Sequence, residues 1–516
     1  MARWFNVAGP CKPDLHYMLP ATARLPDVLR LIRQQSYFVL HAPRQTGKTT
    51  AMLALAQELT ASGHYLAALL SVEVGAPFSE EPETGEFAML DAWRGATGWQ
   101  LPAQLQPPPW PTAEAGRRIG AALSTWAQNA PRPLVIFIDE IDALQGTLLL
   151  SVLRQLRDGY PGRPNAFPSA LALIGLRDVR DYKVASGGSE RLHSASPFNI
   201  KVESLTLANF TPTEVADLYA QHTADTGQIF TPAALARAFE LTQGQPWLVN
   251  ALARQATEVI APDPRIPIDA TQLDLAKDRL IQRQDTHLDS LAERLREPRV
   301  RAVIEPLLAG LTLGDVPTDD LRFVQDLGLV RLPPEGGMVI ANPIYREVLP
   351  QMLAATAIAS LPRISPTWLT PTGQLDQGQL LAAFLAFWRQ HGEPLLGTAP
   401  YAEIAPHLVL MAFLHRVANG GGHITREYAI GRDWMDLLLA YGHVRVAIEV
   451  KVWRPRRSDP LSEGLSQLDA YLAGLDLLTG WLIIFDRRTN AAPLAERTSS
   501  TELQTPTGRT VTVIRA

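Results

Sequence analysis

Apolar residues fall into two rhythms along this chain, and the changes between them mark the elements. Runs at 37–40, 134–138 and 171–176 carry no polar interruption. Short uninterrupted runs of this kind predict strands buried on both faces of a parallel sheet. The run at 64–74 reads as a further buried strand, while 25–35, 113–128 and the Ala/Leu-rich stretch from Lys48 have helical spacing. From 206 to about 290 the chain reads as helix, with start signals at Thr211-Pro212-Thr213-Glu214, at Thr231-Pro232 and at the turn Gly244-Gln245-Pro246-Trp247. The first is a capping box with proline at the first helical position. Residues 75–111 hold Glu80, Glu81, Glu83 and Pro107-Pro108-Pro109, and read as a surface insertion. Helices at 299–308 and 318–327 precede a small hairpin turning at Pro333-Pro334-Glu335-Gly336-Gly337. After a Pro/Thr-rich linker at 360–373 the composition shifts to a new domain, within which 444–452 alternates strictly. Val444, Val446, Ile448, Val450 and Val452 face one way, and Arg445, Ala447, Glu449 and Lys451 the other.

Composition narrows the class. The 516 residues exceed one ordinary core, and 46% hydrophobic with 19% charged residues suits folded domains. A net charge of −5 excludes a protein coated in basic surface, so any nucleic-acid contact is local. Cys11 is the only cysteine, which fits a reducing cytoplasm and excludes an internal disulfide framework. No apolar run is long enough for export or a membrane span.

Candidate chemistry begins where the 37–40 run breaks. Ala42-Pro43-Arg44-Gln45-Thr46-Gly47-Lys48-Thr49-Thr50 follows the pattern G-x-x-x-x-G-K-[ST], with alanine replacing the first glycine. Backbone N–H groups converging at a helix N-terminus attract phosphate. Residues Pro43, Arg44, Gln45, Thr46, Gly47, Lys48, Thr49 and Thr50 are therefore candidates to hold ATP or GTP, with Lys48 at the β/γ-phosphates and the Thr49 hydroxyl on Mg²⁺. The 134–138 run delivers Asp139 and Glu140 at the end of its strand. In this pairing Asp139 serves the Mg²⁺ shell and Glu140 orients or deprotonates the attacking water; alone, the two acids would suit a solvated strand exit equally. After 171–176 come Arg177, Asp178 and Arg180, candidates to sense the γ-phosphate, with helix capping by Asp178 as the alternative. The segment ahead of residue 36 could cover the adenine side, but no motif in it says so.

The stretches HAPRQTGKTT, FIDEID, LIGLRD and TQGQPWLV resemble the archaeal-type AAA-like ATPases of the STAND class, over roughly the first 350 residues. The resemblance implies ATP and Mg²⁺, a helical lid at 206–290, a winged helix at 291–355, and Gly244 and Pro246 at the nucleotide. With no basic recognition helix, that winged helix reads as a spacer rather than a DNA reader.

A second constellation lies on the alternating stretch. If the hairpin turns between Gly442 and His443, residues whose numbers sum to 885 pair, and Asp436 faces Glu449 with Cβ atoms about 5 Å apart. Two acids so close call for a cation between them. With Lys451 on the same face they suit Mg²⁺-dependent phosphodiester hydrolysis; an ordinary half-exposed strand is the plain alternative. Lysine is scarce here, at Lys12, Lys48, Lys183, Lys201, Lys277 and Lys451 only, with arginine used elsewhere. Two of these fall where phosphate chemistry wants a compact ammonium. The segment 401–486, with a helix, strands at 424–430, at Asp436, at Glu449-Val450-Lys451 and at 481–485, resembles the PD-(D/E)xK nuclease superfamily. That resemblance implies metal on Asp436 and Glu449, Lys451 stabilising the attacking water and Gln467 orienting the site, with Tyr471 one turn on and Glu403 as a further acid. Asp433 competes with Asp436. Arg454, Arg456 and Arg457 form a local basic patch, or a solvated cluster.

The expected architecture is α/β: a P-loop parallel-sheet ATPase core at 1–205, the helical lid, the winged helix, a linker at 356–374, and a restriction-endonuclease-like α/β domain at 375–516. The expected function is a cytoplasmic ATP-driven switch over a nuclease acting on DNA or RNA, with no membrane contact and with nucleotide-dependent homo-oligomers. The alternative is a regulatory ATPase whose last domain is a silent binding module.

Overall fold

The computed structural model describes residues 3–20, 24–177, 200–283, 291, 293–308, 313–360, 366–398, 405–418, 422–427, 436–488 and 491–516. The chain divides into two compact units: Met1–Asp285 with Arg322–Val330 and Ala341–Pro343, and Thr286–Leu321 with Arg331–Ile340 and Ile344–Ala516. Among the described residues no helix is long and apolar enough to cross a membrane.

In the first unit β1 (Tyr37–His41), β2 (Leu66–Ser71), β3 (Leu134–Asp139), β4 (Ala170–Gly175) and β5 (Lys201–Thr206) form one parallel sheet in the order β2-β3-β4-β1-β5. The uninterrupted runs behave as their pattern requires, with every residue of β3 and β4 buried. Helices cover both faces: α1 (Pro26–Arg33), α2 (Lys48–Ala61), α3 (Pro82–Gln100), α4 (Arg118–Asn129) and α5 (Gly146–Gly159). Two apolar clusters result, one holding Val39, Trp93 and Ile136, the other Phe38, Met52 and Phe137.

The stretch read as a surface insertion at 75–111 is largely core. Its acids and Pro82 mark a helix start, with proline at the first position and Glu83 in the first turn of α3. Met89, Leu90, Trp93 and Thr97 then line one helical face and are buried. Only the triple proline after α3 behaves as the loop its composition suggests.

The helical region follows as α6 (Pro212–Thr226), α7 (Pro232–Thr242), α8 (Pro246–Arg254) and α9 (Ala270–Arg283). The capping box at Thr211 is formed, each partner accepting the other's backbone N–H. Then come α10 (Pro298–Leu308), α11 (Thr318–Asp326), a ribbon of β6 (Val330–Arg331) and β7 (Val339–Ile340), and α12 (Pro343–Ser360).

In the second unit α13 (Gln377–Thr398) and α14 (Ala405–Ala418) precede β8 (Gly422–Glu427), β9 (Asp436–Tyr441) and β10 (Val444–Trp453). After α15 (Leu461–Gly474) come β11 (Thr479–Asp486), β12 (Ser499–Gln504) and β13 (Thr510–Arg515). The mixed sheet runs β12-β13-β11-β10-β9-β8. Val446, Ile448 and Val450 pack into one cluster with Phe384 and Trp388, while Ala447 packs into another with Leu468 and Leu472. The alternation along β10 thus separates two cores.

Candidate functional site

The phosphate loop takes its shape from two left-handed residues, Gln45 at φ 59° and Gly47 at φ 90°, before α2 starts at Lys48. Glycine adopts such angles without steric cost. Ala42 is not among the positive-φ residues, and its N–H still donates to Gly175 O at 3.3 Å. Alanine can therefore replace the first glycine of the pattern without backbone strain.

Lys48 Nζ donates to the carbonyl oxygens of Ala42 at 2.8 Å and Pro43 at 2.9 Å. Thr49 Oγ1 donates to Asp139 Oδ2 at 2.6 Å, so a hydroxyl and a carboxylate stand together, two hard oxygens that could hold Mg²⁺. Glu140 has a left-handed backbone, φ 58°, and donates its N–H to Asp139 Oδ1 at 3.0 Å. That conformation costs about 1–2 kcal/mol for a residue with a Cβ. It also breaks the alternation of a strand, so that consecutive acids both line one cavity.

The cavity encloses about 630 Å³ and is lined by residues from Arg44 to Ala51, by Asp139, Glu140 and Asp142, and by Pro246, Trp247 and Asn250 of α8. Burial lowers the Lys48 pKa, opposed by Glu140, Asp142 and Asp139. Burial raises the Asp139 pKa against the Thr49 hydrogen bond, and raises that of Glu140 with help from the Asp139 and Asp142 charges. A glutamate made more basic suits proton acceptance.

The structure thus brings Arg44, Gln45, Thr46, Gly47, Lys48, Thr49, Thr50, Asp139, Glu140 and Pro246 to one cavity. Two predicted members lie elsewhere. Pro43 does not line it and instead abuts Gly328, where a Cβ would fall 2.8 Å from Pro43 Cβ and Cγ. Arg177 is not in the lining; its guanidinium lies 3.7 Å from the centroid of the Phe323 ring. Asp178 and Arg180 are outside the described residues. At Gly244, φ 71°, a Cβ would meet Phe210 O at 1.8 Å, so the turn ahead of Pro246 admits only glycine.

The segment Asn6 to Cys11 forms a wall of the cavity that no motif announced. Trp247 Nε1 donates to Val7 O at 2.9 Å, and Cys11 N–H to Thr50 Oγ1 at 3.0 Å. Phe5 and Tyr17 anchor the segment among Tyr219, His222 and Phe230. The signal was aromatic spacing at both ends of this contact, legible only once the helices carrying Tyr219 and Phe230 are placed.

In the second unit β9 and β10 pair from Val444 with Tyr441 to Ile448 with Leu437, the expected register, and Asp436 with Glu449 is its next step. Asp433 and Glu403 lie outside the described residues, and the Asp436 side chain does too. Glu449 is 1% exposed, with Lys451 Nζ 3.1 Å from its Oε1, while its Oε2 accepts no hydrogen bond among the described residues. Lys451 Nζ also lies 3.9 Å from Glu463 Oε1 on α15, an acid the sequence reading did not single out. The same helix carries Gln467 and Tyr471 and packs on β10 and β11. Gly464 lets it approach, since a Cβ there would lie 2.6 Å from Leu482 Cδ1 and 3.3 Å from Lys451 Cγ. Among the described residues no three His, Cys, Asp or Glu side chains group as a metal site.

Residues 38–161 match the family "ATPase family associated with various cellular activities (AAA)". No curated protein matches the sequence. Among solved structures, the Walker-type ATPase PABY2304 of Pyrococcus abyssi superposes with a TM-score of 0.46 at 12% identity, covering 67% of this chain and 99% of its own. The Aeropyrum pernix ORC2 protein in ADPNP–ADP complexes gives 0.40 at 15%, covering 65% and 93%. The Thermotoga maritima RuvB Holliday junction branch migration motor gives 0.35 at 14%, covering 64% and 93%.

Proposed function

We propose that the AAA-family P-loop ATPase domain of this chain, which uses ATP and Mg²⁺, is a STAND-type switch over a Mg²⁺-dependent nuclease in the C-terminal unit. The ATPase half rests on Lys48, Thr49, Asp139 and Glu140 lining one cavity. There the α2 N-terminus and the loop N–H groups hold phosphate oxygens. Lys48 exchanges the carbonyls of Ala42 and Pro43 for the β/γ-phosphates, and Glu140 takes a proton from the attacking water. Bound Mg²⁺ supplies neutralisation of the developing phosphate charge.

The nuclease half is carried by one observation, the buried Glu449 carboxylate with an oxygen that accepts no hydrogen bond among the described residues, beside Lys451 and one register step from the Leu437–Ile448 pair. Leaving a polar oxygen so buried costs about 1–3 kcal/mol, which a cation would relieve. Asp436 and Glu449 are the proposed ligands, Lys451 holds the attacking water, and Gln467 on α15 orients the site. Support for coupling comes from the phosphate loop, since Pro43 touches Gly328 and Arg177 covers Phe323. A change at the loop would thereby reach the 322–330 stretch, and nucleotide-dependent self-association in the cytoplasm would follow from it. A silent binding module is the second reading, favoured by the ion pair Lys451 already makes with Glu449.

The test is cleavage of linear and circular DNA, and of RNA, in Mg²⁺ with and without ATP. Cleavage by the wild type that Lys451→Ala abolishes and Lys48→Ala uncouples from ATP supports the proposal. Silence on every substrate alongside ATP hydrolysis refutes the nuclease half.

A further inference from the structure

The ends of β10, β11 and β13 gather arginines that are scattered in sequence. The three strands are neighbours and mutually parallel, with Trp453 paired to Asp486 and Ile484 to Arg515. Their carboxyl ends finish together, which is where open α/β sheets bind ligands. Trp453 is the hub: the Arg488 guanidinium lies 3.5 Å and that of Arg515 5.3 Å from its ring centroid, and its Nε1 donates to Arg457 O at 3.1 Å. Arg487 donates its N–H to Trp453 O at 2.8 Å. Asp486 holds Arg488 at 2.7 Å and Asp459 holds Arg515 at 2.6 Å. With Arg454, Arg456, Arg457 and Arg487 added, six arginines and two aspartates stand here among the described residues, on a chain whose net charge is −5.

Arg456 is the sharpest observation. Residues 454–457 form a turn closed by Arg457 N–H to Arg454 O at 3.2 Å, with Pro455 second and Arg456 third at φ 63°. This is the type II arrangement, whose third position favours glycine. An exposed arginine held there is strained and gains no buried contact in return. Such an outlier points to a role outside the fold.

We propose that this arginine pad is a sequence-independent clamp for the sugar-phosphate backbone of a nucleic acid. It rests on the nuclease reading in one respect: it feeds the strand to Glu449 and Lys451. Lys451 and Trp453 share a face of β10, about 7 Å apart along the strand. Arg488 covers the Trp453 ring, so phosphate rather than base is what the pad reads, and duplex DNA, single strands and RNA differ only in how their backbones fit.

The experiment is fluorescence anisotropy of the full-length protein with labelled duplex DNA, single-stranded DNA and RNA, in EDTA, over a salt series. Each lost phosphate contact lowers the slope of log K against log salt by about 0.9, or about 8-fold in affinity at 0.1 M. Arg456→Gly and Arg487→Ala are each expected to show that loss, and Arg265→Ala, in the other unit, none. Arg456→Gly should melt no lower than wild type, because glycine relieves the turn. Binding by the wild type that both pad variants leave at the Arg265→Ala level, or no binding to any of the three probes, overturns the proposal. Pad-dependent binding without cleavage in Mg²⁺ would instead refute the nuclease and leave the clamp standing.

Discussion

Replacing Lys451 by methionine removes the cation from a carboxylate that the fold has already taken out of water. The ammonium lies 3.1 Å from Glu449 Oε1, with side chains 12% and 1% exposed. At an effective dielectric of about 20 that separation is worth roughly 5 kcal/mol of attraction. Breaking a buried pair from one side costs about 3–5 kcal/mol, because the partner charge stays behind. Every 1.4 kcal/mol is a factor of ten, so amide exchange across β10 should accelerate roughly 100- to 4,000-fold in Lys451→Met, read by mass spectrometry on the full chain in EDTA. The double variant Glu449→Leu/Lys451→Met puts apolar groups at both positions and should exchange no faster than wild type. Added Mg²⁺ should slow exchange in the single variant by replacing the lost charge. A single variant within threefold of wild type, or a double variant as labile as the single, would refute this account of β10.

Two further outcomes follow from the geometry. Ala42→Gly restores the complete glycine pattern, yet calorimetry should find ATP affinity changed less than about twofold, since alanine costs no strain there; a tenfold gain would show otherwise. Hydrogen bonds from Thr505 and Thr507, with Arg509 adding its own, hold the Asp469 pKa at about 2. A depressed carboxylate contributes stability that is complete above its unfolded value near pH 4 and disappears as pH falls through about 2. Exchange in the 505–509 turn should therefore accelerate across that window, and in Asp469→Asn the acceleration should be absent.

The parallel sheet, the phosphate loop and the paired register of β9 with β10 could all be read from the sequence, because each is written in local pattern: unbroken apolar runs, a loop formula, an alternation ending at a Gly-His turn. Helix α3 was misread as a surface insertion because its acids and prolines are the same residues that punctuate loops; the buried face of Met89 and Trp93 becomes evident only against the sheet. The place of Arg177 after β4 makes it a candidate at the phosphates, and only the structure shows its guanidinium over an aromatic ring 146 positions further along the numbering. The Asn6–Cys11 wall had no local signature at all. The strained turn at Arg456 was visible only as charge, since a sequence shows the arginine and not its φ.

The wall built from Asn6 to Cys11 also bears on synthesis. Val7 waits through 240 residues for the indole of Trp247 that holds it. At about 5–20 residues per second, that interval is about 12 to 48 s. For most of it Phe5 lacks the rings of Tyr219 and Phe230, and Tyr17 that of His222, on which they will pack. The phosphate loop therefore emerges from the ribosome long before the chamber around it can close, and a nascent chain stalled ahead of α8 carries a nucleotide motif without a nucleotide site.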